Sequence, residues 1–322
     1  MRAKLVMLPP QTDIYRAWAS RLVSELPGLK VVVAEDTYAA KAAVRDADAI
    51  FGYLSREVLC ETRNLKLLQA PQAAPPAGFY FAELVAHPAV VTNFREIFND
   101  HIGAHIMAFV LAFARGLDRY LPQQSQSLWA KPAEDHGVVH LPDATMLIVG
   151  LGGIGAEAAR LAAAFGMTVI ATDVRRTDVP PGVSELHKAD ALDELLPRAD
   201  FVVLTVPHTP ATEGFFDRAR FAHMKKTAFF INIGRGMTTR LDDLVATLRE
   251  GGISGAALDV FEIEPLPQDH PLWTMPGVMI TPHMAGYGPH LWERRYEILR
   301  DNCAALMTGG PFRNQVDKAN WF

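Results

Sequence analysis

An apolar run, Met146 to Val149, leads into Gly150-Leu-Gly152-Gly-Ile-Gly155. An alanine-rich segment, Ala156 to Phe165, leads out, and a second apolar run, Thr168 to Ala171, delivers Asp173. The order is strand, glycine turn, helix, strand, carboxylate, and no other stretch constrains the fold as strongly. Glycines at this spacing arise by chance in loops. In this context they predict a βαβ unit whose turn seats a dinucleotide. Gly150 permits the tight turn, Gly152 lets backbone N–H groups approach a pyrophosphate, and Gly155 lets helix and strand pack closely. Gly153 and Ile154 belong to the same phosphate-facing turn. The helix start presents the positive end of its dipole.

Asp173 stands eighteen residues after Gly155, near the spacing of about 20 at which a carboxylate meets the ribose hydroxyls. A carboxylate there repels a 2′-phosphate, so NAD(H) is the expected cofactor. Arg175 and Arg176 follow it. Either is able to receive a 2′-phosphate, which keeps NADP(H) open, although a solvated loop is their plainer role.

The chain has 322 residues, enough for two domains, and 49% of them are hydrophobic, enough for sizeable cores. A net charge of −5 argues against nucleic acid or an anionic membrane as partner. Two cysteines, Cys60 and Cys303, give no disulfide framework and fit a reducing cytoplasm. The N-terminal run from Met1 to Leu8 reads as a strand rather than a signal peptide. The most apolar helical stretch, Ile106 to Ala114, is about half the length of a membrane span.

The first hundred residues alternate strand-like stretches (Lys4–Leu8, Leu29–Ala34, Ala49–Gly52, Leu65–Ala70, Val90–Val91) with helical ones (Asp13–Glu25, Ala39–Asp46). This predicts a small α/β unit with a parallel sheet. A long helix is expected from an N-cap at Asn99 or Asp100 to about Leu117, ended by Gly116 and the Pro122 region. Six strands are then expected: Met146–Val149, Thr168–Thr172, Phe201–Val206, Ala228–Ile233, Ala256–Val260 and Val278–Thr281. They make a Rossmann-type doubly wound parallel sheet. A last helix, about Leu291 to Met307, returns the chain to the first unit. The expected domains are therefore 1–98 with 291–322 for the substrate and 99–290 for the cofactor.

Ligands of open α/β sheets bind beyond the carboxyl ends of the strands. Three polar residues emerge there after the late strands: Arg235 behind Gly234, Glu264 before Pro265, and His283 after Pro282. Singly, each fits a loop arginine, a turn acid or a core histidine. Together they match the reduction of a 2-oxo acid. A guanidinium holds the substrate carboxylate and polarises the carbonyl. A histidine delivers the proton near neutral pH. A carboxylate beside that histidine favours the imidazolium and orients the ring. His101 and His105, four apart, lack a third ligand and read as packing or surface residues, so no metal is expected.

Five segments resemble the D-isomer-specific 2-hydroxyacid dehydrogenase family: VGLGGIG with Asp173, TVPHTPAT at 205–212, MKKTAFFINIGRG ending at Gly236, ALDVFEIEPLP at 257–267, and HPLWTMPGVMITPHMAG at 270–286. TNFREIFNDH and the tail NQVDKANWF are also similar. The resemblance implies a Rossmann-type sheet inserted into a smaller flavodoxin-like α/β substrate domain, with Arg235, Glu264 and His283 as the catalytic set. It implies that Asp259 contacts the nicotinamide carboxamide and that Val206, Pro207, Ile233, Gly234 and Gly286 line the cofactor pocket with His283. His208 is read as pocket lining. A homodimer through the NAD-binding domain is also implied.

The family holds its substrate carboxylate on a Ser-Ala-Gly-Val-type turn. Here the loop reads Gln69-Ala-Pro-Gln-Ala-Ala-Pro-Pro-Ala-Gly78, which puts Ala73 and Ala74 in that role, Ala74 at the glycine position. Pro75 and Pro76 offer no N–H. Ala104 replaces a frequent glutamate. Glu264 disfavours the formate dehydrogenase branch, and the short C-terminus disfavours a regulated phosphoglycerate dehydrogenase. The expected activity is interconversion of a 2-oxo acid and a D-2-hydroxy acid, glyoxylate or hydroxypyruvate foremost. The rivals are an NADH-sensing binding protein like the C-terminal-binding corepressors and a phosphite-type dehydrogenase.

Overall fold

The computed structural model describes residues 2–73, 76, 78–132 and 137–319. Contacts divide the chain into two compact units, 1–97 with 289–322 and 98–288. Among the described residues no helix is long and apolar enough to cross a membrane.

The first unit is built on β1 (Ala3–Met7), β2 (Leu29–Val33), β3 (Ala49–Phe51), β4 (Leu67–Gln69) and β5 (Val90–Thr92). All pairs are parallel and the order is β2-β1-β3-β4-β5, the flavodoxin-like arrangement. The helix Asp13–Glu25 starts where the Thr12 hydroxyl accepts from Tyr15 N, an N-cap bond. Successive strand residues face opposite sides. Ile50 joins an aliphatic core with Val6, Leu68 and Val91. Its neighbour Phe51 joins an aromatic one, in which Trp18 lies within 6.4 Å of the rings of Phe51, Phe94, Trp292 and Tyr296. The helix Leu291–Thr308 thus packs in this unit beside the N-terminal strands.

The second unit carries β6 (Thr145–Val149), β7 (Thr168–Thr172), β8 (Glu185–His187), β9 (Phe201–Leu204), β10 (Phe229–Asn232), β11 (Gly255–Leu258) and β12 (Val278–Ile280). The parallel order is β12-β11-β10-β9-β6-β7-β8. The chain reverses direction across the sheet between β6 and β9, the switch point of a doubly wound fold. Met146, Ile148, Phe201, Val203, Phe229 and Ile231 face one core, together with Ile106, Val110, Ala158 and Ala162 of two helices. Leu147, Val149, Val202, Leu204 and Phe230 face the other. Helices cover both sides, so the strands read as continuous apolar runs.

Three expectations change. The sheet has seven strands, because Glu185–His187 pairs at its edge. All three of its residues are partly exposed, so no apolar run marked it. The long helix runs Asn99–Ala114, and Phe98 is its N-cap without a side-chain bond. Asn99 and Asp100 are therefore its first helical residues rather than its cap. Gly116, at φ 70°, then breaks the chain into a separate helix, Leu117–Ser125, with Pro122 inside it. A left-handed residue ends one helix and lets another start at a new angle. Ala74 and Pro75 lie outside the described residues.

Candidate active site

The glycine turn is shaped by close approaches. Gly150 has φ +97°, and a Cβ there would lie 2.9 Å from Val206 Cγ1. A Cβ on Gly155 would sit 2.2 Å from the Gly150 carbonyl oxygen, and one on Gly153 would sit 2.5 Å from Asn99 Nδ2. A Cβ on Gly152 would meet nothing within 4 Å. Gly152 is the N-cap of the helix Gly153–Ala164, whose first N–H groups have no partner within the helix. Three of these glycines thus serve packing or backbone conformation. Gly152 leaves open space over a helix start, as a bound diphosphate needs. The residues fit a dinucleotide. Ile154 is partly buried against the core below the turn.

Asp173 follows β7. Its Oδ2 accepts from Leu151 N at 2.7 Å, and its Oδ1 accepts from Arg175 N and Arg176 N, both at 2.8 Å. Burial raises this carboxyl, but backbone donors at Arg176, Arg175 and Leu151 more than offset it, and the net shift is downward. The carboxylate therefore stays ionised and clips the glycine turn to the loop after β7. The Arg176 guanidinium is committed to Leu151 O at 3.0 Å and to Asp178 Oδ2 at 2.9 Å.

Arg235, Glu264 and His283 follow β10, β11 and β12, which are adjacent in the sheet. His283 Nδ1 lies 2.6 Å from Glu264 Oε2, while Glu264 Oε1 accepts from Phe261 N at 3.0 Å. The carboxylate is thus anchored on one oxygen and pairs with the imidazole through the other, leaving Nε2 for chemistry. The two side chains are 52% and 35% exposed, so the pair is reachable from outside. Arg235 is half-buried and donates to Gly234 O at 2.6 Å. Burial lowers its guanidinium from its ordinary value, and the charge of nearby Glu264 raises it again.

Two buried residues that sequence reasoning left without a positioning role hold these loops. Asn232, fully buried at the end of β10, accepts from Gly234 N at 3.0 Å and donates to Arg235 O at 3.2 Å and Thr239 Oγ1 at 3.0 Å. It folds the backbone around Arg235. Asp259, 1% exposed, accepts from Thr281 Oγ1 at 2.6 Å, Met284 N at 2.8 Å and Ala285 N at 2.9 Å. Its carbonyl accepts from His283 N at 2.8 Å. A buried carboxylate is tolerated only with such donors. A polar residue closing an apolar strand, as in Ile231-Asn232 and Leu258-Asp259, is the signal that marks both.

Val206 packs against both glycine turns, since a Cβ on Gly234 would lie 2.7 Å from its carbonyl oxygen. Pro207 O accepts from Thr212 Oγ1 at 2.7 Å, Ile233 is buried, and Gly286 packs near Phe98. His208 lies 3.5 Å from Glu213 Oε2. In the first unit, Ala73 O accepts from Asn93 Nδ2 at 2.8 Å. Among the described residues no cluster suited to a metal ion is found.

The model of the D-isomer specific 2-hydroxyacid dehydrogenase NAD binding domain matches residues 107–285. A glyoxylate reductase of Thermofilum pendens is 32% identical over 276 residues, 83% of this chain and 80% of the relative. A D-isomer specific 2-hydroxyacid dehydrogenase of Xanthobacter autotrophicus, solved with NADPH and MES, superposes with a TM-score of 0.84 at 28% identity over all of both chains. An NADPH-dependent glyoxylate/hydroxypyruvate reductase of Sinorhizobium meliloti, solved with NADP and sulfate, gives 0.80 at 25% identity, again over all of both chains. These relatives favour neither the corepressor-like nor the phosphite-type alternative. The chain carries an NAD-binding domain and is an oxidoreductase acting on CH–OH donors with a nicotinamide dinucleotide, and it belongs to the D-isomer specific 2-hydroxyacid dehydrogenase family.

Proposed function

We propose that the protein reduces glyoxylate and hydroxypyruvate to the corresponding 2-hydroxy acids, with Arg235, Glu264 and His283 as its catalytic residues. The observation that carries this is the 2.6 Å His283–Glu264 pair one strand away from a half-buried arginine. The bound reduced nicotinamide supplies the hydride. Arg235 holds the substrate carboxylate and polarises the adjoining carbonyl. His283 Nε2 gives its proton to the carbonyl oxygen as that oxygen gains charge. Glu264 fixes the orientation of the ring through Nδ1. In the oxidative direction, neutral His283 takes the proton back.

NAD(H) is the preferred cofactor, because an ionised carboxylate, Asp173, stands beside the glycine turn and repels a 2′-phosphate, and Arg176 is already tied to Leu151 and Asp178. NADP(H), which the two solved relatives contain, is the weaker one. Gly150, Gly152, Gly153, Ile154, Gly155, Asp173 and Arg175 form its phosphate and ribose side. Val206, Pro207, Ile233, Gly234, Asp259 and Gly286 form its nicotinamide side with His283. The protein works in the cytoplasm as a homodimer paired through the NAD-binding unit. Leu117, Leu121, Leu128 and Trp129, all exposed, offer apolar surface for a second copy.

The test is oxidation of NADH over a panel of 2-oxo acids. Glyoxylate and hydroxypyruvate should turn over faster than pyruvate or longer 2-oxo acids, and NADH should outperform NADPH. Tight NADH binding without turnover on any acid of the panel would refute the reading.

A further inference from the structure

The residue that the catalytic account leaves unused is His105. It lies on the Asn99–Ala114 helix, with 18% of its side chain exposed and its ring edge-on to Phe109 at 4.6 Å. Its Nε2 is 3.0 Å from Thr281 Oγ1, and the Thr281 hydroxyl donates to Asp259 Oδ1 at 2.6 Å. A hydroxyl has one hydrogen. With that hydrogen on Asp259, the Thr281 oxygen can only accept from His105, so Nε2 carries the ring proton. Burial lowers the His105 pKa, opposed by the Asp259 charge, in keeping with a neutral ring.

The network ends on the loop that bears His283. Asp259 accepts from Met284 N and Ala285 N, and His283 itself has φ +51°. Residues with a side chain adopt this left-handed conformation rarely, so it persists only where neighbours hold it. The holding group is Asp259, whose Oδ1 is shared between Thr281 and Met284 and is oriented by both.

We propose that His105 is a positioning residue. By donating through Thr281 to Asp259, it fixes the 283–285 backbone, left-handed at His283, that aims the imidazole. The inference rests on the reading of His283 as proton donor, but its effect on the loop is separable from turnover.

Hydrogen exchange of the segment 281–287 and NADH-dependent glyoxylate reduction are to be compared in His105→Leu, His105→Gln and Thr281→Val. The glutamine amide can replace the Nε2 donor and leucine cannot. His105→Leu should speed exchange of the Met284 and Ala285 amides and slow turnover, each about tenfold, the scale of one lost buried hydrogen bond. His105→Gln should restore most of both. Thr281→Val should match His105→Leu, and the double variant should add little to either. Wild-type exchange in folded His105→Leu overturns the proposal, as does a glutamine variant as impaired as the leucine one, since that outcome means packing alone. If His105→Leu does not fold, wild-type exchange in Thr281→Val overturns it equally. If the wild-type protein turns over no 2-oxo acid, the functional reading falls and the exchange comparison still decides the role of His105.

Discussion

Both units are parallel sheets with buried polar side chains near their strand ends, yet these side chains bond to different things. In the first unit, Gln69 Oε1 accepts from Thr92 Oγ1 at 2.8 Å and Asn302 Nδ2 at 2.9 Å, and Asn302 Oδ1 accepts from Arg313 N at 2.7 Å. This cluster ties β4 and β5 to a helix and tail more than two hundred residues away. In the second unit, Asn232 and Asp259 bond mainly to the backbone just beyond their own sheet edge. One arrangement closes a unit made from both chain ends. The other shapes the loops that bear Arg235 and His283. The same buried amide or carboxylate therefore joins distant segments or shapes a nearby loop according to which backbone lies within reach.

Substitutions can break this contrast. The largest effect is expected at the chemical edge. His283→Ala should lower turnover by about 10²–10⁴-fold, the contribution of a general acid. NADH affinity, measured by fluorescence titration, should barely move. Retained turnover would remove the histidine from the reaction. Next in size is the glycine turn. Gly155→Ala puts a methyl group 2.2 Å from a carbonyl oxygen, an overpacking that costs about 1–3 kcal/mol or more in chemical denaturation. Gly152→Ala faces open space and should keep its stability while weakening NADH binding. Equal stability losses in the two variants would contradict the division of roles within the turn.

The first unit should respond in stability alone. Asn302→Leu strips Arg313 N of its acceptor and Gln69 of one donor, at about 1–3 kcal/mol for the stranded groups. A denaturation curve should show that loss while NADH titration stays at the wild-type value. The smallest effect concerns pH. The Asp173 carboxyl lies below its ordinary 3.8 in the folded protein, so the stability it contributes is complete above that value and is lost as pH falls through the folded one. The stability gap between wild type and Asp173→Asn should be constant near neutrality and close only below about pH 4. A gap closing near pH 6 would point to a histidine instead.

Much of this was legible in the sequence because the signals are local. The helix Asp13–Glu25 has the bounds that its periodicity predicts. The late strands appear where the apolar runs stand, with ends displaced by two residues at most. The edge strand Glu185–His187 escaped, because a half-exposed three-residue strand carries no apolar pattern. The break at Gly116 was visible, but the helix beyond it was not, since Pro122 reads as a terminator and here lies inside a helix. His105 reads as a packing or surface histidine; it packs on Phe109 and is also hydrogen-bonded to Thr281, a partner no local pattern marks.

By itself the sequence determined two alternating α/β regions, a glycine turn followed by a carboxylate, and three polar residues at the ends of late strands. Side-chain period, turn conformation and strand-end placement depend on neighbours a few positions apart, so they can be read along the chain. Tertiary structure alone decided that Asn232 and Asp259 hold the loops and that His105 reaches Thr281. Those partners are separated by as many as 176 positions. A hydrogen bond needs its atoms within about 3 Å, a distance that only the packed sheets and helices can set.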